Sequence, residues 1–169
     1  MIRLLQEADA QAYIDLRRQA LLEAPLAFTA SPEDDVAASV EAVREQLRQT
    51  PQSVIIGAFQ DGLVGIVGLY RDRHAKASHK SHLWGMYVTP DHRQQGLGSQ
   101  LLEAALRHAR TLAGITWVHL GVSSAASEAR RLYDRAGFRV WGAEPDALRH
   151  ADQAVVEYHM ALQLESADS

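Results

Sequence analysis

The spacing of apolar residues along the chain changes most sharply between Leu83 and Leu106. Leu83-Trp84-Gly85-Met86-Tyr87-Val88 is an apolar run rich in strand formers, and it stops at Thr89-Pro90. A polar loop through Arg93, Gln94 and Gln95 follows, closed by Gly96 and Gly98. Apolar residues then recur at Leu97, Leu101, Leu102, Ala105 and Leu106, the spacing of one helix face. The pattern predicts a strand, a glycine-bearing turn and a helix in succession. Such a turn leaves backbone N–H groups bare at a helix N-terminus, where the peptide dipole adds to their attraction for negative charge. This is an anion site suited to phosphate.

The same reading places elements along the rest of the chain. Ile2–Leu5 is a short strand. Asp9 stands where it would cap a helix over residues 10–24, with Ala12, Leu16, Ala20, Leu21 and Leu22 as its apolar stripe and Pro25 as its end. Ser31-Pro32-Glu33-Asp34 reads as a second helix start, with the serine as N-cap and acids at the positive end of the dipole. That helix breaks, resumes and runs out at Thr50-Pro51. Ser53–Phe59 and Leu63–Tyr70 form a hairpin about Asp61-Gly62, a favoured two-residue turn. Residues 71–81 read as a polar loop. Gly114 stops the helix that follows the glycine loop, and Ile115–Val122 is a strand. Ser123–Ser127 offer caps for a helix through Ala136, which Gly137 terminates. Phe138–Trp141 begins a strand, a loop carries Pro145, and Ala154–Leu162 is the last strand.

Strands alternating with helices after an early antiparallel hairpin predict one α/β domain over residues 1–165, a mixed sheet with helices on both faces. Residues 166–169 read as a disordered tail. At 169 residues, 47% hydrophobic and 22% charged, the chain has the makings of an ordinary core. A net charge of −4 with no long basic run disfavours nucleic acid as a partner. The absence of cysteine excludes disulfides, thiolate metal sites and a covalent cysteine intermediate. Residues 1–25 carry Glu7, Asp9, Asp15, Arg17 and Arg18 and read as neither signal peptide nor membrane span, and no apolar run approaches the ~18 residues a spanning helix needs. A cytoplasmic protein with no membrane partner is the expectation.

Three phosphate-binding patterns compete for residues 93–98. A P-loop requires Gly-Lys-Ser/Thr, but Gly98 is followed by Ser99-Gln100. A dinucleotide fingerprint requires a third glycine where Leu101 stands. The string Arg-x-x-Gly-x-Gly, after a strand ending Tyr-Val-x-Pro and before an apolar helix, resembles instead the acyl-coenzyme-A-binding motif of the GCN5-related N-acetyltransferase (GNAT) superfamily. The resemblance implies that Arg93, Gln94, Gln95, Gly96, Leu97, Gly98 and Ser99 hold the coenzyme's pyrophosphate, largely through backbone amides. It also implies that the strand carrying Met86, Tyr87 and Val88 splays from its neighbour, so that its backbone is free for the amide-rich pantetheine arm. The implied fold is a mixed, mostly antiparallel sheet of about six or seven strands, splayed at this central strand and flanked by helices.

A second motif supports the first. Ala129-Arg-Arg-Leu-Tyr133-Asp-Arg-Ala-Gly137-Phe138 resembles the family's Ala-x-x-x-Tyr-x-x-x-Gly-Phe segment. The resemblance places Tyr133 at the coenzyme sulfur, where a phenol of pKa ~10 can protonate or hydrogen-bond a departing thiolate. The family's usual asparagine, seven residues before that tyrosine, is Ala126 here, and Ser123, Ser124 or Ser127 are the hydroxyls available in its stead.

An amine acceptor must lose a proton before it attacks a thioester. By spacing from Arg93, His82 occupies the position where related branches keep a basic glutamate or histidine, and imidazole suits the task. His119 on the next strand and Glu33, in the cluster Glu33-Asp34-Asp35, are lesser candidates. The ribosomal-protein alanine acetyltransferase branch keeps a glutamate at the position of Gly121. The spacing of His74, His79 and His82 fits no metal-ligand pattern, so no metal is expected.

The chain is therefore expected to move an acetyl group from acetyl-coenzyme A, as cosubstrate, to a primary amine of a small molecule or peptide by direct attack. The acceptor is expected between residues 10–50, the 71–81 loop and the 144–153 loop, with the acids around Glu33 favouring a cation. A non-catalytic acyl-coenzyme-A-binding module and a nucleotide-binding α/β domain are the rivals, and a homodimer is left open.

Overall fold

The computed structural model describes residues 1–35, 37, 39–48 and 50–165. Its elements are β1 (Ile2–Leu4), α1 (Ala10–Glu23), α2 (Val40–Leu47), β2 (Ser53–Phe59), β3 (Leu63–Arg71), β4 (Lys80–Val88), α3 (Leu97–Thr111), β5 (Trp117–Ser123), α4 (Ser127–Arg135), β6 (Arg139–His150) and β7 (Gln153–Gln163). The strands form a seven-stranded sheet in the order β1-β2-β3-β4-β5-β7-β6. All pairs are antiparallel except β4–β5. This is the mixed α/β architecture that the alternation of elements predicts.

Alternate residues of each strand supply the two cores. On one face Val54, Ile56, Val67 and Leu69 pack with Leu97, Leu101, Leu102 and Ala105 of α3 and with Tyr133 of α4. On the other, Ile55, Ile66 and Tyr87 pack with Tyr13, Leu16 and Ala20 of α1 and Val43 and Leu47 of α2. The helical stripe of α1 is therefore Ala10, Tyr13, Leu16, Arg17, Ala20 and Leu21. Ala12 and Leu22, expected in it, are exposed, because they lie off the face that Ala10, Tyr13, Leu16, Arg17, Ala20 and Leu21 define.

Several local expectations are corrected. Asp9 makes no cap bond to α1; its carboxylate accepts from the Gln6 N–H at 2.7 Å and pairs with Arg3 at 2.8 Å. Ser31 opens a turn closed by Asp34, whose Oδ1 accepts the Ser31 N–H at 2.6 Å. The helix starts later, at Val40, with Ser39 Oγ accepting from Ala42 N–H at 3.3 Å. Residues 144–150 are not loop but part of β6, which continues through Pro145 because the register shifts between Glu144 and Leu148. A bulge is where a proline, lacking its N–H, is tolerated in a strand. The tail expected at 166–169 lies outside the described residues.

The decisive feature is the junction of β4 with β5. They pair only over Lys80–His82 with Trp117–His119. Beyond that, β4 remains on β3 while β5 remains on β7, and a gap opens between them. On β4 the register against β3 slips between Trp84 and Tyr87, opposite Gly68 and Ile66. Gly85 takes φ 65° there, a left-handed conformation that suits glycine. The slip sends Tyr87 to the α1 face and Met86 and Val88 to the α3 face.

Gly68 supplies the floor for Trp84: a Cβ at residue 68 would lie 2.1 Å from the indole ring. Gly68→Ala should therefore lower stability by about 1–3 kcal/mol through overpacking. Chemical denaturation would read this, and adding Trp84→Leu should restore part of the loss; an unchanged midpoint in Gly68→Ala would contradict the packing.

Candidate active site

The open end of the gap faces the loop before α3. Gly96, the N-cap of α3, has φ 78°, and Gln94 before it has φ 62°. The first intrahelical bond is donated by Gln100 to Gly96 O at 3.0 Å. The N–H groups of Leu97, Gly98 and Ser99 precede it and have no helical acceptor. They point out of the helix end with the dipole behind them. A Cβ at Gly96 would meet nothing closer than 4.0 Å, and one at Gly98 would touch Leu132 of α4 at 3.4 Å. Gly96 is thus required for its conformation, whereas a Cβ at Gly98 would make only ordinary contact with α4.

Strand β4 contributes the second set of donors. The Thr89 N–H bonds to Val64 O of β3 at 2.9 Å. By the alternation of a strand, the N–H and C=O of Val88 point the other way, into the gap. Arg93 takes the carbonyl: its Nε donates to Val88 O at 2.9 Å. Its two terminal nitrogens donate to the Glu23 carboxylate at 3.3 and 2.9 Å, and its guanidinium lies 5.6 Å from the Tyr87 ring centre. The Arg93 side chain thus clamps the end of α1 to the end of β4, and the loop presents backbone N–H groups to the cleft. Gln95 Nε2 reaches Asp91 O at 3.5 Å.

Loop, β4 end, α4 start and the Pro25–Phe28 connector enclose one cleft of about 890 Å³. Met86, Tyr87, Val88, Arg93, Gln94, Gly96, Leu97, Gly98 and Ser99 all line it. Phe28, His150 and Gln153 also line the cleft, so part of the expected acceptor region is brought in and the 71–81 segment is not. Ala126, the N-cap of α4, lines the cleft without a side-chain cap bond. Of the nearby hydroxyls, Ser123 Oγ accepts from Ala125 N–H and Ser124 Oγ from Val156 N–H, both at 3.1 Å, while Ser127 lines the cleft.

Tyr133 follows the cleft-lining Leu132 and is 5% exposed, its ring edge-on to Phe138 at 5.8 Å. Burial raises its pKa well above the usual phenol value, so the hydroxyl stays protonated and can only donate or hydrogen-bond. The Tyr87 hydroxyl is buried and has no hydrogen-bond partner among the described residues. Its pKa is pushed up to about 12, first by burial and then by the neighbouring Glu23 carboxylate.

His82 stands at the closed end of the gap. Its Nε2 is 3.3 Å from Asp72 Oδ2, its ring stacks on Tyr70 at 4.8 Å, and His119 lies 5.9 Å away. The two histidine candidates are thus neighbours on paired strands, while His82 itself is not among the residues lining the cleft. The acids around Glu33 are largely committed elsewhere. Asp34 closes the Ser31 turn, and Asp35 pairs with Arg17 at 3.1 Å. Arg17 in turn lies against the Gly85 bulge, its Nη1 3.4 Å from where a Cβ would stand, with Phe28 and Trp84 rings 5.4 and 5.9 Å from its guanidinium.

A mixed sheet splayed between β4 and β5, with a glycine loop at its open end, is the arrangement that the family resemblance implies. The Acetyltransferase (GNAT) family profile matches residues 15–138, and the chain belongs to that family. A Streptococcus pneumoniae GNAT acetyltransferase structure superposes with TM-score 0.84 at 21% identity, over 97% of this chain and 99% of that one. A putative acetyltransferase from Salmonella typhimurium, solved with its cofactor acetyl-CoA, gives 0.83 at 22% identity, over 100% and 96%. A GCN5-related N-acetyltransferase from Kribbella flavida gives 0.82 at 25% identity, over 97% of each chain. A mycothiol acetyltransferase of Nocardiopsis dassonvillei is 46% identical over 54 residues, which is 32% of this chain and 16% of that protein. The matched stretch thus spans about a sixth of that relative's length.

Burial and then the charge of neighbouring His82 push the His119 pKa down from 6.5. A group whose folded pKa is depressed favours the native state above its unfolded pKa, and that contribution is lost as pH falls through the folded value. Imidazole NMR titration should therefore place His119 below the ordinary histidine midpoint, and His82→Ala should move it up. No movement would show that the two rings do not sense each other.

Proposed function

We propose that this protein transfers an acetyl group from acetyl-coenzyme A to a primary amine of a small molecule or peptide by direct attack. The observation that carries this reading is the single cleft joining the free Val88 N–H to the N–H groups of Leu97, Gly98 and Ser99. An amide-rich arm ending in a pyrophosphate fits that arrangement, with the arm beside β4 as an added strand and two phosphates at the helix end. Met86, Tyr87, Val88 and residues 93–99 would hold it, Arg93 by fixing the loop and the others by backbone or side chain.

In this reading the acceptor nitrogen attacks the thioester carbon, and the oxygen's developing charge is met by the Val88 N–H. The C–N bond forms and the C–S bond breaks. The ammonium proton passes to His82, whose imidazole Asp72 orients, and Tyr133 gives its proton or a hydrogen bond to the leaving sulfur. No covalent protein intermediate is required. Positioning two reactants in one cleft contributes through the entropy term. The buried, neutral Tyr133 and the His82–Asp72 pair support these roles.

Ala126 favours a second reading, a non-catalytic acyl-coenzyme-A-binding module. It leaves the cleft without the side-chain amide that the family motif implies at this position. Calorimetric titration with acetyl-coenzyme A, paired with thiol release across an amine panel, separates the two: binding with no release on any amine would sink the enzyme reading.

Two variants test the roles. Tyr133→Phe should lower turnover about 10²-fold or more with coenzyme affinity nearly unchanged; collapse of binding with normal turnover per bound site would make Tyr133 structural. His82→Ala should make the rate climb steeply with pH toward the amine pKa of ~10, because only free amine then reacts. A profile identical to the wild type would remove His82 as base.

A further inference from the structure

Helices α1 and α2 pack over β2, β3 and β4, while the same sheet face of β5 and β7 carries Trp117, His119, Gly121, Glu157 and His159 by alternation. On this face Glu157 stands out. Its Cα pairs with Ser123, and its carboxylate folds back over Gly121. A Cβ at residue 121 would lie 2.4 Å from Glu157 Oε1 and 2.9 Å from its carboxyl carbon. Gly121 has no left-handed φ. Its lack of a side chain makes room for this carboxylate.

Glu157 is half-buried, and among the described residues its carboxylate has no ion pair and no side-chain hydrogen bond. His159, a ring nitrogen of which lies within 4.8 Å of it, already faces the Glu144 carboxylate. Across the strands sits Glu144, which His159 Nε2 approaches at 3.4 Å. Glu144, Glu157 and His159 bring one ligand atom each within 4.8 Å of one another. The ring of Trp141 stands 5.4 Å from that of His159. A half-buried carboxylate lacking a partner, with a second carboxylate beside it, is charge awaiting a cation. The position is informative too: Gly121 lies past His119, on the stretch of β5 from which β4 has parted. The Pro25–Ala27 turn, which walls the cleft, also contacts β5 and β6.

We propose that Glu157 is a specificity-determining residue for the acceptor: it pairs with a positive charge on the acceptor other than the nitrogen that is acetylated. The acceptor class is therefore a diamine, or another amine bearing a second cationic group. The assignment rests on the acetyltransferase reading above and names the substrate class for that site.

The test uses the full chain, acetyl-coenzyme A and primary amines of matched length that end in an ammonium, a hydroxyl or a carboxylate. For the wild type, kcat/KM should fall in that order, by about tenfold or more between the first and last. Glu157→Gln, nearly isosteric, should raise KM for the ammonium-bearing amine about tenfold and leave the hydroxyl-bearing amine and coenzyme affinity unchanged. Gly121→Ala, which displaces the carboxylate while Glu157 is still present, should reproduce that selective loss. If the wild type acetylates these amines but Glu157→Gln does not change the ranking, the assignment of Glu157 is overturned. If a chelator abolishes the ranking, or added zinc ion is needed for it, the cluster is a metal site and the assignment is likewise overturned. A wild type that binds coenzyme and acetylates none of the panel overturns the acetyltransferase reading itself.

Discussion

A strand leaves backbone polar groups without a partner only at a cost, and β4 has no strand partner on its β5 edge beyond His82. Its other edge is secured: Thr89 bonds to Val64, and the register with β3 continues to Val88. Toward β5 the pairing ends at His82 and His119, and Val88 is left facing the gap. The Gly85 bulge is the local cause on β4, since two residues there oppose one on β3 and the strand bends. The Arg17 guanidinium braces that bulge from the α1 side and is matched by Asp35, so a buried charge is compensated where the strand is irregular.

Everything at the site follows from how that free edge is framed. Arg93 holds Val88 O and Glu23 together, which fixes the distance between the strand end, α1 and the glycine loop. Leu97, Leu101 and Leu102 bury α3 in the core beneath, so the helix end with its bare N–H groups is held by packing rather than by the loop. The outcome is a rigid row of donors, from Val88 to Ser99, along one wall of the cleft. The opposite sheet face carries the titratable groups: Asp72, His82, His119, His159, Glu144 and Glu157. In the proposed reading the donors would meet one substrate from one side, and the titratable groups would face the other from the opposite side.

The sequence made the donor wall legible because two local signals coincide there. The apolar period switches from strand to helix across a glycine loop, and Tyr133 with Gly137-Phe138 follows at the right distance. Elements whose cause is tertiary were not legible. Ser31 and Ser39 offer the same capping chemistry, and only the placement of α2 on α1 selects Ser39. Pro145 reads as a loop residue until the bulge that accommodates it is seen. Arg93 reads as a phosphate ligand by its place in the motif, but its partners Val88 and Glu23 are set by the fold. Glu157 is invisible as a site residue, because its meaning comes from a glycine on the neighbouring strand. The signal that was available was Gly121 itself, a glycine inside an otherwise apolar strand with no turn to require it.

The central claim is that unpaired backbone groups on β4 and at the α3 terminus bind one ligand together. Hydrogen–deuterium exchange with and without acetyl-coenzyme A measures this directly. The N–H groups of Val88, Leu97, Gly98 and Ser99 should gain protection together on addition of the coenzyme, while Thr89, already bonded to Val64, should change little. Protection confined to the α3 terminus, with Val88 exchanging as fast as before, would contradict the account.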